Sequence, residues 1–145
     1  MEKKGAFKGA SLVRRTPIFI SHRRIVELDC EELRIRGKTK EFIKDFFTVL
    51  MQIVEKKELP EVPDYVVRLV SIYQASKLMG KKINMDNLIK KFNIIVPKIL
   101  LEFNQIYEDI VGFQSVEEVE HEYKKIMDEY EEKVRGLNKR DKAIG

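Results

Sequence analysis

The chain has 145 residues, 43% of them apolar and 36% charged, with a formal net charge of +4. That suffices for one domain with a real core, while the near balance of signs leaves the distribution of charge as the informative quantity. The single cysteine, Cys30, excludes an internal disulfide, and no apolar run reaches the roughly 18 residues of a membrane span.

Residues 1–24 carry Lys3, Lys4, Lys8, Arg14, Arg15, Arg23 and Arg24 against Glu2 alone. Gly5, Gly9 and Pro17 break any periodicity there, so the segment reads as an extended basic arm without the apolar core of a signal peptide. A soluble, cytoplasmic protein is expected. Residues 25–36 are ambiguous, since Ile25–Leu28 and Leu33–Arg36 alternate like strands. Asp29 with Glu32 three residues on resembles a capping box, which favours a short helix or turn. From Lys38 to about Lys57, Phe42, Phe46, Val49, Leu50 and Ile53 mark one face of a helix. Pro60 and Pro63 close it and open a second helix from about Asp64 to Met79, with Gly80 as the stop. That second helix carries Leu69, Ile72, Tyr73 and Ser76 on one face, with Arg68 and Lys77 off it. Asn84 is placed to cap a third helix with Leu88, Phe92 and Ile95 inward. Pro97 kinks or splits the chain, and Ile99, Phe103, Ile106, Ile110 and Phe113 continue the apolar face. Ser115 with Glu118 is a capping box that opens a last helix ending near Gly136, with a narrow stripe of Val119, Tyr123, Ile126, Tyr130 and Val134.

The fold expected is therefore an all-α bundle of four to five helices. Residues 1–37 form a basic arm with a short ordered element, 38–113 a helical core, and 114–145 a peripheral acidic helix with a basic tail. Residues 114–134 hold three Lys/Arg against eight Asp/Glu, whereas residues 1–37 hold nine against five.

Catalytic chemistry has few candidates. His22 and His121 each lack a second histidine, a cysteine or a carboxylate in metal-ligand register, and no phosphate-loop, dinucleotide or nucleophile-elbow motif occurs. Gly37-Lys38-Thr39 resembles the end of a phosphate loop, but the leading glycine and preceding strand are missing, and a helix start capped by Thr39 is the better reading. Neither catalytic residues, metal nor cofactor are expected.

Cation placement is what remains. Lys40 and Lys44 are spaced i, i+4 on the first long helix. Arg68 and Lys77 lie on the second, and Lys81 and Lys82 follow at its exit. A row of Lys and Arg contacts phosphates without reading sequence, and the arm residues Arg14, Arg15, Arg23 and Arg24 would add further contacts. The same side chains are equally able to pair with surface carboxylates such as Glu41, Asp45 and Asp64, at little gain in stability. Tyr65 and Tyr73 are the aromatics best placed to offer a ring to a base.

Three segments carry a resemblance: Thr39–Phe47, Arg68–Lys77 with its Arg-Leu-Val-Ser-Ile-Tyr-Gln-Ala-Ser-Lys run, and Phe103–Phe113. Together and in this spacing they resemble the small all-helical subunit of type III, Csm-type, CRISPR effector complexes, over residues 38–113. Ser76 and Lys77 stand where that family has Gly-Arg, and the arm and last helix lie outside its usual extent. The resemblance implies a non-catalytic antiviral-defence subunit that stacks with copies of itself and other subunits. Lys44, Arg68 and Lys77 would line the groove where guide and target RNA pair. Two readings compete with it. One is a DNA-wrapping coat protein of a filamentous archaeal virus, acting through the arm. The other is a protein-binding adaptor acting through the acidic helix.

Overall fold

The computed structural model describes residues 22–144, with side chains described through residue 136. Among these residues the chain is all-helical, as expected, but with six helices: α1 Arg23–Glu32, α2 Gly37–Glu55, α3 Asp64–Leu78, α4 Met85–Lys91, α5 Pro97–Ile110 and α6 Val116–Ile144. Residues 1–21, including Arg14 and Arg15, lie outside the described residues. No described helix is long and apolar enough to cross a membrane.

The bundle is organised around α2, which packs against α1, α3 and α6, while α5 packs against α3 and reaches α2 through Tyr107. Three neighbours explain why α2 buries Phe42, Ile43, Phe46, Phe47, Val49, Leu50 and Met51, on more faces than the single stripe its sequence periodicity suggests. An aromatic cluster closes one end. Phe46 lies 5.8 Å from Tyr107 and 6.1 Å from Phe113, centroid to centroid, and the backbone N–H of Phe113 donates to the Tyr107 hydroxyl at 3.1 Å. The chain reaches that cluster through Gly112, at φ +48°, where an added Cβ would sit 2.8 Å from the backbone oxygen of Glu108.

Several expectations are corrected. Arg23 and Arg24 do not belong to an extended arm, because they open α1, whose Val26 and Cys30 are fully buried in the core. Asp29 is not a cap; it sits inside α1 and reaches across to α3. Thr39 does not cap α2, which has no side-chain cap. Of the two outcomes expected at Pro97, the split is the one observed: it stands in the first turn of α5, where its missing N–H costs nothing, and no helix is kinked there. Ile95, Ile99 and Ile110 are exposed, Ile95 at 92%; the side chains of this region that face inward are Leu100, Phe103 and Tyr107. Gly136 does not end α6, which runs on to Ile144, since an interior glycine costs a helix only about 1 kcal/mol. Ser115 does donate the expected cap, its Oγ accepting from the Glu118 N–H at 3.2 Å. The Glu118 carboxylate reaches back one residue further than a capping box requires, to the Gln114 N–H.

Candidate nucleic-acid interface

The structure divides the expected contact cations into two groups. The first group is spent on holding helices together. Arg23 donates to the Lys44 carbonyl at 3.0 Å, to Thr48 Oγ1 at 2.8 Å and to Asp45 at 2.9 Å, tying α1 to α2. Its guanidinium also lies 5.3 Å from the Tyr123 ring centroid, which brings α6 into the same contact. Lys44 faces Glu27 at 3.3 Å and Glu41 at 3.4 Å. Lys40 faces Glu27 and Glu31, and Arg24 pairs with Glu27. These cations hold the Glu27 carboxyl below its usual range, chiefly through the Arg24 and Lys44 hydrogen bonds. Arg68 Nε donates to Asp29 at 2.7 Å, joining α3 to α1. Burial nevertheless leaves the Asp29 carboxyl above its ordinary range, because desolvation outweighs the arginine; Asp45 beside Arg23 behaves likewise. Lys77 stands 3.7 Å from Glu108, beside a Gln74 side chain that donates to both Asn104 and Glu108 at 2.8 Å. Lys40, Lys44, Arg68 and Lys77 thus each meet a carboxylate, and on three different helix pairings, so they do not compose one free row.

The second group is Lys81 and Lys82, and here the structure adds two residues that the sequence reading passed over, Arg34 and Arg36. All four are exposed, and none has an ion pair among the described residues. They line one cleft of about 430 Å³ together with Thr39, Ser76, Asn84 and Asn87, and no carboxylate of the described residues lines it.

Two helix ends build that cleft. At the end of α3 the Gly80 N–H bonds the Lys77 carbonyl and the Lys81 N–H bonds the Ser76 carbonyl at 2.8 Å, a Schellman turn with Gly80 at φ +75°. At the end of α1 the Arg34 N–H bonds the Glu31 carbonyl and the Ile35 N–H bonds the Cys30 carbonyl at 2.8 Å, with Arg34 itself at φ +60°. The same turn recurs after α2 at Lys57, φ +64°. Each turn throws the chain sharply out of its helix, and the two at α1 and α3 bring their basic residues to the one cleft that Thr39 also lines. The first turn of α2 has no acidic residue and no side-chain cap, and its Thr39 lines the cleft. The α1 signal was legible only as Arg-Ile-Arg before a glycine, which reads as a strand until the turn is seen.

Tyr65 and Tyr73 are partly buried and packed against the core, which limits both as stacking surfaces. No cluster of three or more His, Cys, Asp or Glu suited to a metal occurs among the described residues. Neither a protein-family model, a curated protein nor a solved structure matches the chain.

Proposed function

We propose that this protein is a non-catalytic binder of a nucleic-acid backbone, acting through Arg34, Arg36, Lys81 and Lys82. The reading rests on one observation: these four cations line a cleft with no carboxylate in its wall among the described residues, whereas the other expected contacts within those residues each face a carboxylate. Cations gathered at one site with no ion pair among the described residues are what a polyphosphate backbone selects, because each contact releases condensed counterions. The resemblance to the small subunit of Csm-type CRISPR complexes makes RNA the favoured polyanion, and membership of a larger ribonucleoprotein the favoured setting. A protein neighbour in such an assembly is favoured by a separate feature, the apolar side chains of Ile95, Leu101 and Ile110 exposed at and along α5.

Filter binding of single-stranded RNA at several salt concentrations tests it. Four phosphate contacts give a log–log salt slope of about −3, hence an affinity loss of about 50-fold between 50 and 200 mM salt. If all ten expected cations made contact, the slope would be about −7 and the loss above 10,000-fold. Arg34→Ala with Lys81→Ala is expected to flatten the slope by about two contacts' worth, about 1.4. A salt-independent affinity, or a slope untouched by those substitutions, would remove the reading.

A further inference from the structure

We propose that the cleft between the ends of α1 and α3 is a site for one terminal phosphate, the phosphomonoester at an end of an RNA strand. The inference rests on the backbone-binding reading and specifies which part of the polyanion the cleft holds.

The first support is the charge arrangement. Arg34 and Arg36 follow α1, Lys81 and Lys82 follow α3, and Thr39 from the first turn of α2 lines the same cleft. A phosphodiester offers two free oxygens and one charge. A terminal monoester offers three oxygens and close to two charges, which suits donors contributed by three separate segments of the chain.

The second support is independent of charge. Ser76 lies in the wall of the same cleft, is fully buried, and its Oγ has no hydrogen-bond partner among the described residues. The contrast within one helix is direct, since Ser71, also buried, donates to the Val67 carbonyl at 2.7 Å. A buried hydroxyl left without a partner is costly, and native proteins retain few of them without a use. An oxyanion seated between Arg34 and Lys81 supplies the missing acceptor. The Schellman turn fixes this relation, because the Lys81 N–H is bonded to the carbonyl of Ser76 itself. The room available, about 430 Å³, admits a phosphate with its attached nucleoside, so the end of a strand fits without threading the chain through.

Fluorescence anisotropy with three oligoribonucleotides of one sequence tests this: one phosphorylated at the 5′ end, one at the 3′ end, one at neither. Full-length protein should prefer one phosphorylated end by about tenfold or more, the size of one charge-assisted hydrogen bond. Ser76→Ala should abolish most of that preference while leaving salt-dependent binding of the unphosphorylated strand, whereas Arg34→Gly should abolish the preference and also flatten the salt slope of the unphosphorylated strand by about one contact's worth, about 0.7. Lys57→Gly relieves the same left-handed backbone strain away from the cleft and should leave the preference intact. Equal affinity for all three strands overturns the site but not the backbone reading, as does a preference that survives both cleft substitutions. If no strand binds, inorganic phosphate and a nucleoside monophosphate decide. A thermal shift in the native protein that Ser76→Ala removes upholds the anion site while the backbone reading falls, and no shift ends both.

Discussion

Arg68 is the residue on which a structural and a nucleic-acid role make opposite predictions. Its Nε lies 2.7 Å from Asp29 Oδ2, with the two side chains 20% and 13% exposed. Arg68→Ala removes a charge-assisted hydrogen bond and leaves a half-buried carboxylate without its counter-charge, a loss of about 2–3 kcal/mol. For a domain of this size about 3 °C of melting temperature accompanies each kcal/mol, so the variant should melt about 6–9 °C below the native protein. Lys81→Ala with Lys82→Ala removes exposed side chains that have no ion pair among the described residues, and each such change should stay within about 0.5 kcal/mol. RNA affinity should follow the reverse order, weakened by the lysine substitutions and little changed by Arg68→Ala measured well below its melting temperature. The pairing has its own signature. Asp29→Ala and Arg68→Ala combined should cost less than their sum, because each single change already breaks the contact. Thermal unfolding followed by circular dichroism, with filter binding on the same preparations, reads both quantities. If Arg68→Ala melts like the native protein yet loses as much affinity as the lysine variant, the division into holding and binding cations is wrong.

Other outcomes follow from burial. Cys30 is fully buried and its thiol is pushed up to about 12, mainly by desolvation, so alkylation at pH 8 should be slow in the native state and become fast in denaturant. Rapid native labelling would mean that α1 detaches readily. Asp29 and Asp45 have carboxyls raised above their unfolded values, so the folded state takes up their protons more readily than the unfolded state. Their contribution to stability is therefore greatest below the ordinary carboxylate range and declines as pH rises through it. Denaturant unfolding at pH 4 and pH 6 should show Asp29→Asn shifting the slope of stability against pH in the positive direction relative to the native chain.

Local rules in the chain determined much of this protein. The helical periods, Pro63 and Pro97 at helix starts, the Asn84 cap and the Gly80 stop are all near-neighbour effects, and they suffice for an all-α bundle. Which cations are free is a different kind of property. Lys44 and Lys82 look alike in sequence, but Lys44 meets Glu27 across 17 positions while Lys82 lines an open cleft. Likewise Arg23 reaches Asp45 and Arg68 reaches Asp29 over separations that no helical period encodes. The cleft itself exists because two helices end in the same tight turn beside the start of a third, and Arg34 and Arg36 join Lys81 only there. Coulombic pairing depends on distance in space, and only the packing of α1 and α3 on α2 sets those distances.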